Sequence, residues 1–162
     1  MALSAQQRKQ ARDRAGQAAW LAYNNKANVH YTQGGNRWEG IANKLNARHG
    51  KYPNNADCSS FATWCLWNGL YLAFQSSDVV NATSWRSGYT GTMLGNGKIV
   101  KPENALKGDL VLYGKGHPGA HVAIVVGKKD GVPMVISHGS EAGPFFVPYN
   151  YRPDVMSIRR YI

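Results

Sequence analysis

All segments with helical spacing fall in the first half of this chain and all strand-like runs fall after them, an order that fixes the class of fold. Ser4 and Gln7 form a capping-box start, and Ala11, Ala15, Ala18 and Ala22 recur at helical spacing to about Tyr23, which predicts a first helix with a narrow small-residue face over residues 1–24. Trp38, Ile41, Ala42 and Leu45 predict a second helix ending near Gly50, and a third runs from about Asp57 to Leu70. Strand texture then follows at "KIV", "DLVLYG", "HVAIVVG", "MVISHG" and "DVMSIRRYI". Helices first and strands last imply an α+β fold with a mainly antiparallel sheet, because parallel sheets need the two element types to alternate. No linker or repeat divides the 162 residues, so one domain is expected, with its core over 28–162. The long segment from Ser76 to Asn96 reads as a loop with a short helix around Ala82 to Trp85.

The charge is sparse but one-sided. Charged residues are 17% of the chain, yet 19 Lys+Arg face 9 Asp+Glu, a formal net charge of +10. Such a balance attracts acidic polymers or surfaces. No basic run is interleaved with aromatics, and no nucleic-acid motif is visible, so an anionic cell wall is expected as partner and nucleic acid is not. The opening "MALSAQQRKQARDRAGQAAW" has bases and glutamines where a signal peptide carries its apolar core, and no apolar run of 18 residues follows. Synthesis as a soluble cytoplasmic chain without a transmembrane segment is the expectation, and nothing demands more than a monomer.

Both cysteines lie in "ADCSSFATWCLWNG", seven residues apart. On a helix that spacing puts them on one face with about 10 Å of rise between them. A disulfide needs Cα atoms within about 7 Å, so an intact helix forbids the bond. Cys65, between Trp64 and Leu66, reads as a small buried hydrophobe. Cys58 follows Asp57, a helix-capping residue, in the first turn, where the positive end of the helix dipole favours the thiolate. A nucleophile and a packed first-turn residue are equal readings of Cys58 at this point.

A thiol nucleophile needs an imidazole, itself oriented by a third polar group. Of five histidines, His49 closes the second helix, and His30 and His117 sit in loops. His121 and His138 lie on strands joined through Asp130-Gly131, a hairpin signal. A turn centred there pairs His138 with Ala123 and puts His121 two residues along on the same face, within reach of His138. A one-residue slip of register sends His138 to the opposite face. His117 and His121 have helical spacing, but the Pro and Gly of "HPGAH" forbid the helix, so no metal site is expected.

"ADCSSF" opening a helix, then "LKGDLVLYG", "AHVAIVVG" and "ISHGS" in that order, resembles the NlpC-type cell-wall cysteine peptidases over about Asn28 to Gly139. The resemblance implies a permuted papain-like core in which Cys58 is the nucleophile, His121 its base and His138 the residue that orients His121. It also implies that Tyr31 helps hold the oxyanion and that Asp57 and Ser59 contact substrate. Ser60 stands where the family often has Gly, and Gly108-Asp109 reads as a turn and strand start. The absence of a signal peptide resembles phage lysins.

The implied reaction is cofactor-free hydrolysis of an amide in the peptidoglycan stem peptide, after D-γ-glutamate and before the diamino acid. A CHAP-type amidase or cross-bridge endopeptidase shares the Cys and the "HVAIV" strand, though it tends to carry an acidic or amide residue where His138 stands. A non-catalytic basic wall-binding module and an acyltransferase are the remaining alternatives.

Overall fold

The computed structural model describes residues 2–114, 120–139 and 143–162. The first helix, α1, spans Ala5–Asn24 and starts with the Ser4–Gln7 capping box: Gln7 N donates to Ser4 Oγ at 3.1 Å, and Ser4 N to Gln7 Oε1 at 2.9 Å. Its small-residue stripe, Ala11, Ala15, Ala18, Ala19 and Ala22, is fully buried. That stripe lies against α3, Cys58–Phe74, so closely that a Cβ on Gly69 would run into the Ala11 carbonyl. Helix α3 is buried without interruption from Cys58 to Leu70, with α1 on one side and the sheet on the other. This enclosure explains why its sequence is apolar on every face rather than amphipathic.

The second helix is cut short. A 3₁₀ turn at Gly35–Trp38 leads into α2, only Glu39–Ala42, and a second 3₁₀ turn follows at Ala47–His49. Between them Lys44 takes a left-handed conformation, Trp64 Nε1 captures the Leu45 carbonyl at 2.9 Å, and the Asn46 side chain accepts from Arg48 N at 3.0 Å. Tertiary and local side-chain bonds thus replace the ladder that would have continued the helix. No helix forms at Ala82 to Trp85 either. Asp78 Oδ1 instead accepts from the N–H groups of Val80 and Asn81, Ala82 is left-handed, and the short helix α4 falls at Thr90–Leu94.

Two short parallel strands, β1 (His30–Tyr31) and β2 (Asn55–Ala56), lie beside the start of α3. The main sheet contains β3 (Lys98–Ile99), β4 (Leu110–Tyr113), β5 (His121–Lys129), β6 (Val132–Ser137), β7 (Phe145–Pro148) and β8 (Val155–Arg160). Its order is β3-β8-β4-β5-β6-β7 and every pairing is antiparallel. One face, with Leu110, Leu112, Val122, Ile124 and Ile136, joins the helices in the main core. The other, with Val111, Tyr113, Ala123, Val125, Val135 and Ile158, forms a second core closed by Tyr149, Tyr151 and Val155. Gly108 and Asp109 are structural: Asp109 is buried and takes a two-pronged bond from Arg160 at 2.9 and 2.8 Å.

The β5–β6 hairpin turns at Asp130-Gly131, both with positive φ, and Lys129 pairs with Val132 as the sequence predicts. The register changes higher up. Between Val125 and Gly127 an extra residue, Val126, enters β5 as a bulge, so that Ala123 faces Ser137 and not His138.

The close passage of α1 over Gly69 gives a direct test. Gly69→Ala drives a methyl into backbone that cannot step aside, so thermal denaturation is expected to show a loss of about 1–3 kcal/mol or more; an unchanged Tm would contradict this packing.

Candidate active site

Burial of the first turn of α3 sets the site's chemistry, because a buried helix end needs internal partners for its free N–H groups. Asp57 supplies them. Its Oδ1 accepts from Ser60 N at 2.9 Å while Ser60 Oγ accepts from Asp57 N at 2.8 Å, a reciprocal cap that accounts for serine at position 60. Arg37 closes the other side, donating to Asp57 Oδ1 at 3.0 Å, to Ser59 Oγ at 3.2 Å and to the Gly88 carbonyl at 3.0 Å. One guanidinium therefore ties the long 76–96 loop to the start of α3. Nothing in the sequence marked Arg37, because its partners lie 20 and 51 positions away. Asp57 and Ser59 are both buried and engaged with these partners rather than open to the surface.

Cys58 follows directly, buried with 8% of its surface exposed. The backbone N–H groups of Val122, Ser59 and Cys58 itself lie near its sulfur and favour the thiolate. Nearness to Val122 puts the sulfur beside the first residue of β5, His121. At this one end of the sheet β4 ends, β5 begins, β6 ends and β8 begins. Cys65 is fully buried, and neither cysteine is in a disulfide.

His121 lies on the sheet face turned from the helices. Its ring packs against Tyr113 at 5.7 Å, and its Nε2 is 2.7 Å from Ser137 Oγ, which is 3.1 Å from the Tyr151 hydroxyl. His138 is not the partner of that ring nitrogen. The Val126 bulge moves it one place along, past the end of β6 and onto the helix face, where it is fully buried against Phe61 and Tyr31. There its Nε2 lies 3.0 Å from the Ala56 carbonyl and 3.3 Å from that of His30. Two carbonyl acceptors require that Nε2 carry the proton. His138 thus straps β1 and β2 to the end of β6, two residues ahead of the cysteine.

Tyr31 stands against the His138 ring at 5.6 Å, and its hydroxyl accepts from Gln33 Nε2 at 3.2 Å. His30 is exposed on β1, His49 ends the second 3₁₀ turn, and His117 lies outside the described residues. Among the described residues no group of three or more His, Cys, Asp and Glu side chains is placed to hold a metal ion.

Electrostatics alter the expectation of a ready thiolate. Burial, reinforced by the neighbouring Asp57 carboxylate, pushes the Cys58 thiol up to about 11, and the three N–H groups only partly offset it. Burial also pushes His121 down to about 4, assisted by the positive charge of Arg152. Desolvation outweighs the helix dipole, whose effect is confined to the first turn. Near neutral pH the resting pair is an uncharged thiol and an uncharged imidazole.

An α+β core with a cysteine at the start of its buried helix and a histidine at the start of the adjacent strand is the arrangement of a papain-like cysteine hydrolase. The CHAP domain family model matches residues 47–140, more than half of the chain, and the protein belongs to that family of cysteine- and histidine-dependent amidohydrolases and peptidases related to NlpC. No curated protein matches the sequence. The matched stretch contains Cys58, His121 and His138, while α1, Tyr31, β7, β8 and Tyr151 lie outside it. His138 is the residue by which the sequence separates NlpC from CHAP, and the hydrogen-bond partner of His121 Nε2 is Ser137.

An uncharged resting pair predicts slow alkylation of Cys58 by iodoacetamide at pH 7, with a rate that climbs steadily toward pH 11, and no labelling of Cys65 until the protein unfolds. Fast labelling independent of pH between 5 and 8 would instead indicate a thiolate–imidazolium pair.

Proposed function

We propose that the protein is a peptidoglycan hydrolase that cuts an amide bond with Cys58 as nucleophile and His121 as general base. The observation that carries this reading is the position of Cys58 in the first turn of α3, near the Val122 N–H at the start of β5, where the neighbouring strand residue, His121, bears the imidazole. In this scheme the proton of His121 sits on Nε2, facing Ser137 Oγ at 2.7 Å, which leaves Nδ1 to take the thiol proton as sulfur attacks the amide carbonyl. The imidazolium then gives that proton to the leaving amine. Water, deprotonated by the same nitrogen, attacks the thioester, expels the Cys58 sulfur and yields a carboxylate.

In this scheme the uncharged pair is an advantage, because thiolate and imidazolium form together, next to substrate, in a site already short of water. The Cys58 N–H, at the first position of α3, faces the developing oxyanion, and the Tyr31 hydroxyl is its candidate second donor. Ser137 and Tyr151 fill the orienting role that the sequence assigns to His138. His138 instead holds the chain that carries the nucleophile. Asp57 and Ser59 act on substrate mainly by keeping the first turn in place.

The bond we put first is the stem-peptide link after D-γ-glutamate. An N-acetylmuramoyl-L-alanine amidase or a cross-bridge endopeptidase is the second reading, favoured by the CHAP match. Action on a bacterial wall in phage-mediated lysis, as a monomer and without a cofactor, suits a strongly basic chain in which no described helix is long and apolar enough to cross a membrane.

Clearing of purified cell walls tests the assignment. Cys58→Ala and His121→Ala are expected to abolish clearing while wall binding and folding persist; undiminished clearing by Cys58→Ala would overturn Cys58 as nucleophile, and binding without clearing by the wild type would leave only the wall-binding module. Ser137→Ala is expected to lower kcat on the order of tenfold or more with little change in KM, and Ser137→Thr, which keeps the hydroxyl, to retain most activity. The acid limb of kcat/KM is expected below the 6.5 of an ordinary histidine, toward about 4, because burial disfavours the charged ring. A limb at or above 6.5 would contradict the buried neutral base.

A further inference from the structure

We infer that the side of the molecule formed by α1 and the Ala47–His49 turn contains a binding site for a phosphate group, and that its natural occupant is a polyol-phosphate polymer of the cell wall. The inference extends the wall-directed function proposed above to a second site. A polar hollow of about 290 Å³ is lined by Arg14, Asn46, Arg48, His49, Asn68 and Leu72. Two guanidiniums and an imidazole thus line one cavity with no carboxylate among its walls.

Arg14 and Arg48 repel each other across this hollow. Partial burial and the charge of Arg48 both weigh against the charged form of Arg14. Asp13, which lines one of the adjoining hollows, is paired with Lys9 at 2.9 Å and Lys107 at 3.5 Å. Asn68 is spent on structure, its oxygen accepting from Ala47 N at 2.9 Å and its amide donating to the Trp64 carbonyl at 3.0 Å. The Asn46 oxygen accepts from Arg48 N, so its amide group remains as a donor. The hollow therefore offers many donors and a positive charge of at least two. Arginine forks pair two-pronged with phosphate oxygens, and each phosphodiester of a polymer, with one charge, two free oxygens and two bridging ones, offers these donors more acceptors than a carboxylate of the same charge.

The size and continuation of the hollow point to a polymer. Arg48 also borders two adjoining hollows, in which Gln10, Gln17 and Asn24 recur every seventh residue along α1. At 1.5 Å per residue that row extends about 21 Å, enough for several repeat units. Its side chains are amides, suited to hydroxyl groups. The aromatic side chain on this path, Trp20, is packed against Phe146 at 5.1 Å and Tyr23 at 5.5 Å, which leaves no stacking platform of the kind single-stranded nucleic acids use. Asn68 lies ten residues beyond Cys58 on α3, about 15 Å along the helix, so an anchored polymer would leave the catalytic end free.

The test uses inorganic phosphate and a soluble polyglycerol phosphate as probes, titrated into the full chain by calorimetry and by ¹⁵N NMR of the arginine side chains. Wild type is expected to bind both, with shifts centred on Arg14 and Arg48, and the Arg14→Gln/Arg48→Gln variant to bind each at least tenfold more weakly. Hydrolysis of a soluble wall fragment lacking phosphate is expected to be unchanged in that variant, while clearing of phosphate-bearing walls falls. Equal binding by the variant, or no arginine shifts with either probe, would overturn the site. Tighter binding of single-stranded DNA than of polyglycerol phosphate through the same arginines would overturn the assigned polymer. Repeating the titration on Cys58→Ala separates the two readings, since phosphate binding there is expected to equal wild type whatever becomes of the hydrolase assignment.

Discussion

Everything at the candidate active site depends on burying the first turn of α3. A helix end enclosed by protein must satisfy its N–H groups internally, and Asp57 with Ser60 does so while Arg37 neutralises the carboxylate. Cys58 directly follows that cap, in the first turn of α3. His138 secures the approach from the other side through the Ala56 carbonyl. Cys58 is therefore held in place by three separate anchors, the Asp57–Ser60 cap, Arg37 and His138.

The same burial governs reactivity. Desolvation opposes charge on both Cys58 and His121, and their shifts run in opposite directions, so both favour the uncharged form. In the proposed mechanism, separation of charge is deferred to the step in which it is useful. A polar chain from Ser137 to Tyr151 stands behind the His121 ring. The nearest full charges there, Arg152 and Asp154, neutralise each other with bonds of 2.9 and 2.6 Å.

Some of this was legible in the sequence, for physical reasons that differ element by element. The Ala stripe of α1, the apolar length of α3 and the Asp130-Gly131 turn are local signals, and each appears where its periodicity or turn chemistry requires. The place of Cys58 in the first turn of α3 was legible because a capping residue precedes it. The hydrogen-bond partner of His121 was not. A bulge leaves no mark in a run such as "HVAIVVGKK", and a single extra residue at Val126 exchanges Ser137 for His138 on the His121 face. The second helix failed for a similar reason, since the bond from Trp64 to Leu45 links positions 19 apart. Strands β1 and β2, two residues each, are too short to show any period.

Mass spectrometry of the fragments released from peptidoglycan of defined composition tests the central claim most directly. The account predicts that each cut at a stem-peptide amide leaves one new carboxylate on one product and one new amine on the other, with no new reducing sugar ends, and that Cys58→Ala releases no such fragments. New reducing ends, or the same fragments from Cys58→Ala, would contradict it.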